Sequence, residues 1–372
     1  MNFQIITTTQ QLEDVCHKAK QVDTVMLDTE FVRTRTYYPI LGLIQLYDGE
    51  HLSLIDPLEI QDMSAFADLL QDESVMKVLH ACGEDLEVFQ HSFGCLPTPM
   101  RDTQLMAAFL GHGLSTGFAT LVNEYLCVEL DKSESRTDWC ARPLTPKQLD
   151  YAAADVYYLL PLYQKLEQAV TDANWLAAAD QESSLLKRKR IKNINPDLVY
   201  KQVKGAWQLT PRQLAILKPI ATWRFLEAKS RNLALNFVLK EGDMLSVCRQ
   251  EMTSLNQMKQ ADIDNRTVRR HGDALLAMVQ QGLAVPEEEL PTPIERLADD
   301  PKYKQTLKSL KDIVTSVHEK TGLATEFLAS KKQLNQLITW VWRKDKQGQA
   351  PDVMQGWRLE LFGERLLAKL EA

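Results

Sequence analysis

The sequence contains no apolar run near the roughly 18 to 20 residues a membrane helix requires, and its start, MNFQIITTTQQLEDV, has neither the basic nor the apolar part of a secretory leader. Membrane insertion and secretion are not expected, and the expected location is the cytoplasm. Cysteine is sparse: residues 16, 82, 95, 127, 140 and 248 form no CxxC pair, which argues against zinc fingers and for reduced thiols. Neither a Walker A loop nor a GxGxxG fingerprint is present, so nucleotide-driven motors and dinucleotide-dependent dehydrogenases are poor competitors. Positive charge is not in excess. The net charge of −7 gives no whole-chain sign of nucleic-acid binding, although it averages over local patches. What remains is ordinary globular composition, with 45% hydrophobic and 25% charged residues over 372 residues, enough for two or three domains.

The first ~170 residues have the pattern of a mixed α/β domain. Short β-branched and apolar runs at residues 3–6, 24–32, 41–47, 52–55 and 75–80 predict strands. Asp48-Gly49 between the third and fourth runs predicts a hairpin, so that the second, third and fourth strands form an antiparallel meander. Helical periodicity follows from Glu84 onward, through residues 86–89, 105–109, 121–125 and 149–166. Lys187-Arg188-Lys189-Arg190, then Lys192 and Asn195-Pro196, mark a boundary; the run is a solvated helix end or a nucleic-acid contact. Residues 209–372 are almost wholly helical, broken by the proline-rich stretch 286–293. A faint repeat at an offset of 90 residues relates Leu233-Ala234, Phe237-Val238, Met244 and Val247 to Leu323-Ala324, Phe327-Leu328, Leu334 and Leu337, predicting a duplicated helical module. The expected divisions are 1–190, a linker at 191–207, and helical modules at 208–290 and 295–372.

Three acidic segments carry the chemistry. In Thr24 to Phe31, period-2 alternation places Leu27, Thr29 and Phe31 on one strand face and Asp28 and Glu30 on the other. Two like charges on a strand built for burial call for a cation or a basic partner. In Val78 to Phe89 a strand ends, Gly83 turns the chain, and Glu84 and Asp85 open a helix, a place where the dipole accommodates acids without further role. In Tyr151-Ala152-Ala153-Ala154-Asp155 the i, i+4 spacing sets a phenol and a carboxylate on one helix face, with alanines keeping the flanks small. His80 is left unassigned. Oxygen-only ligands favour Mg²⁺ or Mn²⁺ over Zn²⁺, and two such ions sharing carboxylates suit in-line attack on a phosphodiester.

In that order and spacing, Asp28-Thr29-Glu30-Phe31, the His80 to Phe89 segment with Asp85 as its acid, and Tyr151 to Asp155 resemble the three motifs of the DEDD exonuclease superfamily in its tyrosine form. The surrounding segments Val32 to Pro39 and Leu130 to Trp139 resemble the bacterial ribonuclease D family. Residues 221–247, with Trp223-Arg224 and Ala228, resemble the helicase-and-RNase-D C-terminal (HRDC) domain, and residues 295–372 a divergent second copy. The resemblance implies a ribonuclease H-like α/β exonuclease domain, a mixed sheet flanked by helices, followed by two all-α HRDC-like domains. It also implies hydrolytic 3′ to 5′ exonuclease activity on RNA, trimming 3′ extensions of tRNA precursors and releasing 5′-mononucleotides. Carried onto this sequence, Asp28 bridges two metals, Glu30 and Asp155 complete the water-activating site, Asp85 supports the second ion, and Tyr151 orients the attacking water. Arg33, Arg35, Lys132 and Arg136 are candidate phosphate contacts or, equally, surface salt-bridge partners. A monomer without membrane association is expected. The residues alone leave open a 3′ to 5′ DNA exonuclease, because phosphoryl chemistry does not depend on the sugar; a non-catalytic nucleic-acid-binding adaptor has no physical reason to keep clustered acids, and a small-molecule phosphohydrolase leaves the helical tail without a purpose.

Overall fold

The structure is a computed structural model and describes residues 1–131, 133–191, 194–342 and 350–371. It divides into two compact units: residues 1–32, 39–191 and 301–372 form the first, and residues 33–38 with 192–300 the second.

In the first unit the chain runs β1 (Gln4–Ile6), α1 (Thr9–Ala19), β2 (Thr24–Val32), β3 (Ile40–Tyr47), β4 (Leu52–Ile55), α2 (Ser64–Gln71), β5 (Met76–Leu79), α3 (Gly83–Phe93), β6 (Met100–Asp102), α4 (Thr103–Phe109), α5 (Phe118–Leu126), α6 (Pro146–Asp172) and α7 (Leu176–Arg190). The strands form one mixed sheet in the order β1-β4-β3-β2-β5-β6. The expected meander is present, with β2/β3 and β3/β4 antiparallel, while β2/β5, β5/β6 and β1/β4 are parallel. At the β3–β4 turn Gly49 adopts φ +97°, and Asp48 Oδ1 accepts from the amides of Glu50 and His51. β6, α1 and α2 are not among the elements that the sequence pattern predicts. The three-residue β6 is too short for periodicity to register; α1 is opened by a Thr8/Gln11 capping box, a local signal that was available.

One sheet face carries Val25, Leu27, Ile44, Leu46 and Ile55, packed with Leu12, Phe66, Leu86 and Phe89 from α1, α2 and α3. The other face, with Met26, Asp28, Glu30, Leu43 and Gln45, lies under α6. The twin alanines explain that approach, since Ala152 and Ala153 are fully buried and let α6 sit close to the sheet.

The second unit contains α8 (Pro211–Ser230), α9 (Leu235–Val238), α10 (Glu241–Arg249), α11 (Leu255–Gln260) and α12 (Asn265–Leu283) around a core of Leu214, Leu217, Met244, Val247 and Leu275. Buried Arg224 donates from Nε to the Leu239 carbonyl and from Nη2 to Asn236 Oδ1, closing the end of this bundle.

The C-terminal residues return to the first unit as α13 (Tyr303–Thr321), α14 (Thr325–Leu328), α15 (Lys331–Trp342), α16 (Gly356–Arg358) and α17 (Glu364–Glu371). The offset of the repeat recurs in the helix boundaries: α9 begins at Leu235 and α14 at Thr325, α10 at Glu241 and α15 at Lys331. The grouping of 301–372 with the sheet has a physical cause in an aromatic cluster. Phe109 lies 4.7 Å from Phe327 and 5.2 Å from Trp357 between ring centroids, with Trp175 beside them. Arg358, almost fully buried, pairs with Glu182 on α7 and donates to the carbonyls of Phe327 and Leu328. The basic run that ends α7 is engaged within the unit, with Lys187 donating to Thr98, Lys189 paired with Asp352 and Arg190 with Glu87.

Candidate active site

Asp28 and Glu30 stand on β2, an interior strand whose neighbours β3 and β5 hold its backbone on both sides. Asp155 comes down from α6 on the same face, and one carboxylate oxygen from each of Asp28, Glu30 and Asp155 lies within 4.8 Å of the others. The register of α6 is set at its first turn. Thr145 Oγ1 accepts from the Gln148 amide at 3.2 Å, Gln148 Oε1 accepts from the Thr145 amide at 3.0 Å, and Pro146 supplies the fixed φ of a first helical residue. One turn on, Tyr151 and Asp155 fall together, and the phenol hydrogen-bonds the carboxylate.

Asp85, buried in the first turn of α3, joins the set from the opposite side of β2: it is held by the Thr29 hydroxyl, which donates to Oδ1. The turn into α3 is tight, with Ala81 at φ +53°. Asp102 accepts from the Ala81 and Cys82 amides, both at 3.0 Å, and so fixes that turn. Thr29 and Asp102 were not singled out from the sequence. Period-2 alternation places Thr29 with the core-facing residues, and Asp102 offers no local pattern besides its place before a helix.

The loop ahead of α6 closes the other flank. Trp139 is buried, and its ring centre lies 6.0 Å from that of Tyr151. Its backbone reaches β3 because residue 42 is glycine; a Cβ there would stand 2.5 Å from the Trp139 carbonyl oxygen. Arg142 ties the same loop down, donating to Asp56 and, at 2.6 Å, to the Gly42 carbonyl.

Four acids so placed resist ionisation together. Burial, then repulsion from Asp85, Asp155 and Glu30, holds the Asp28 carboxyl well above the usual range. Burial first, then Asp155 and Asp85, pushes Glu30 up to about 9. Burial raises Asp155 to about 7 against the Tyr151 hydrogen bond, and Asp85 to about 6 against the Thr29 hydroxyl. Burial, then the charge of Asp155, raises the Tyr151 phenol well above its ordinary value. Among the described residues no basic side chain pairs with these acids in the hydrogen bonds and ion pairs above, and an all-oxygen donor set of this charge fits hard divalent cations.

Arg33 and Arg35 belong to the segment 33–38 of the second unit, where Arg33 Nη2 donates to the Tyr37 carbonyl and the Arg35 guanidinium lies 6.0 Å from the Phe237 ring centre. Arg136 is exposed in the loop before Trp139, and Lys132 lies outside the described residues.

Comparison with known proteins agrees along the whole chain. Residues 3–171 match a family model described as 3′-5′ exonuclease, residues 213–279 the HRDC domain, and residues 301–366 the ribonuclease D C-terminal HRDC domain. Ribonuclease D of Serratia proteamaculans is 50% identical over 366 residues, 98% of each chain, and that of Escherichia coli 48% identical over 366 residues with the same coverage. The crystal structure of Escherichia coli RNase D, described as an exoribonuclease involved in structured RNA processing, superposes with a TM-score of 0.97 at 47% identity, covering 100% of this chain and 99% of that one. Among the described residues no helix is long and apolar enough to cross a membrane. The exonuclease and HRDC matches and the identity along nearly the full length have one assignment: the chain belongs to the ribonuclease D family of hydrolytic 3′ to 5′ exoribonucleases.

Proposed function

We propose that this protein trims 3′ extensions of tRNA precursors one nucleotide at a time, releasing 5′-mononucleotides, by two-metal-ion hydrolysis in the cytoplasm and as a monomer. The observation that carries the reading is the grouping of Asp28, Glu30 and Asp155 within 4.8 Å, with Asp85 anchored behind them by Thr29. Two Mg²⁺ or Mn²⁺ ions held there would supply an activated water and stabilise the leaving oxygen.

The side chains divide the remaining work. Asp28, whose carboxyl is raised by burial and by repulsion from Asp85, Asp155 and Glu30, would be shared between the two ions; Glu30 and Asp155 would complete the water-activating site, and Asp85 would support the second ion directly or through water. Tyr151, beside Asp155, orients the attacking water through its hydroxyl and need not act as base, since a water held by the metals would already be acidic enough at neutral pH. The catalytic domain is residues 1–190, and the helical modules at 208–290 and 295–372 hold a structured RNA while its 3′ end is trimmed. Arg33, Arg35, Lys132 and Arg136 contact phosphates.

Purified protein with Mg²⁺ is incubated with 3′-extended tRNA and with single-stranded DNA of matched length, and products are resolved by size. Stepwise shortening of the RNA with release of 5′-mononucleotides is expected. DNA degraded as fast as RNA, or internal cleavage, would overturn the proposal.

A further inference from the structure

On β3, directly across the antiparallel ladder from Asp28, stands Gln45. Its relative exposure is 0%, and among the described residues neither Oε1 nor Nε2 finds a hydrogen-bond partner. A buried carboxamide with both ends unmade is costly, so an unpaired one at such a position points to a partner in the working state. Its neighbours narrow the choice. Across the other ladder Gln45 faces Leu54, which offers nothing polar, and along its own strand the residues on the same face are Leu43 and Tyr47. Opposed residues of an antiparallel pair have Cβ atoms about 4.5–5.5 Å apart on one face, so the Asp28 carboxylate is within reach of the amide directly or through one water.

We propose that Gln45 is a positioning residue for Asp28: its side-chain amide donates to the Asp28 carboxylate, directly or through one buried water, and fixes the orientation in which that carboxylate takes up metal. The inference rests on the proposed metal-binding role of Asp28. A fixed hydrogen bond to a ligand carboxylate selects one rotamer and lowers the ordering cost when the cation arrives, an effect of about 10- to 100-fold in metal affinity or activity. The apolar setting makes the device specific, because a residue of similar length without the amide fills the space equally well and packs better.

The test is Gln45→Met in the full chain, beside Asp28→Asn, with Mn²⁺ affinity read by calorimetry, thermal stability of the metal-free protein, and kcat and KM on RNA. Gln45→Met is expected to leave metal-free stability unchanged or raised, to weaken Mn²⁺ binding about tenfold or more, and to lower kcat with KM for RNA unchanged. Mn²⁺ affinity and kcat both within twofold of wild type, while Asp28→Asn loses them, would show Gln45 to be packing only. If Asp28→Asn also keeps full Mn²⁺ affinity, the metal reading itself fails and takes this inference with it. Should Gln45→Met not fold, Gln45→Asn keeps the amide but withdraws it by one methylene; weakened Mn²⁺ binding supports the proposal and unchanged binding overturns it.

Discussion

The Thr29 hydroxyl donates to Asp85 Oδ1 and thereby joins the strand of the first acidic segment to the helix of the second. The bond favours the charged form of a buried carboxylate, opposing the burial that raises it. Thr29→Val keeps the shape and removes the donor. It is expected to lower turnover about tenfold at sub-saturating Mg²⁺ and less at saturating Mg²⁺. Equal loss at every Mg²⁺ concentration would mean that Thr29 does not act through a metal ligand.

Replacing Asp28 or Asp155 with Asn removes a charge from the cluster of three. Each change is expected to reduce turnover at least ~10³-fold with RNA binding largely intact, because the loss falls on the transition state. Tyr151→Phe keeps the ring against Trp139 and loses only the hydroxyl, so its expected cost is about 10- to 10³-fold. Single-turnover rates with saturating enzyme measure both. An Asp28→Asn enzyme within tenfold of wild type would rule out the proposed site.

The donor set also dictates the metal response. Chelation with EDTA should abolish activity, and Mg²⁺ or Mn²⁺ should restore it. Full restoration by Zn²⁺ with Mg²⁺ inert would show that oxygen ligands do not decide the site.

The raised carboxyls make the metal-free protein sensitive to alkali. Glu30 at about 9, Asp155 at about 7 and Asp85 at about 6 lie above their ordinary values, so between about pH 4 and 9 the folded state binds more protons than the unfolded one. Stability relative to the protonated form therefore falls as pH rises through those values. In EDTA the melting temperature should drop from pH 6 to pH 9, Asp28→Asn should raise it at pH 8, and saturating Mg²⁺ should remove most of the drop. Differential scanning calorimetry decides it; no stabilisation by Asp28→Asn at pH 8 would mean the acids do not repel in the folded chain.

The Arg358–Glu182 pair tests the docking of the C-terminal residues. Arg358 and Glu182 keep 4% and 11% side-chain exposure, and the Trp357 indole also donates to Glu182 at 2.9 Å. Glu182→Ala leaves a buried guanidinium with only carbonyl partners, at an expected cost of about 3 kcal/mol in chemical denaturation. The rate on short single-stranded RNA should hold at temperatures where the variant remains folded. A change under ~0.5 kcal/mol would show that the pair adds nothing to the packing of Trp357 and Phe109.

Local pattern determined much of this protein. The alternation in residues 24–32, the Asp48-Gly49 turn and the Tyr151/Asp155 spacing each concern residues a few positions apart, and short-range backbone geometry settles which way such side chains face. The same holds for the helical repeat, since each module's α-helical segments recur at a fixed spacing along the chain. Other features depended on contacts between distant residues. Nothing near Thr29 in the chain marks it as the partner of Asp85, 56 residues away, and nothing near Gln45 shows that it stands opposite Asp28 on the neighbouring strand. The grouping of residues 301–372 with the sheet rests on Phe109, Trp175 and Glu182 meeting Phe327, Trp357 and Arg358, side chains that read as ordinary core or surface until the fold brings them together. Burial, too, was a tertiary outcome: carboxylates solvated on an extended chain become mutually repelling, proton-holding groups only when β2, α3 and α6 close around them.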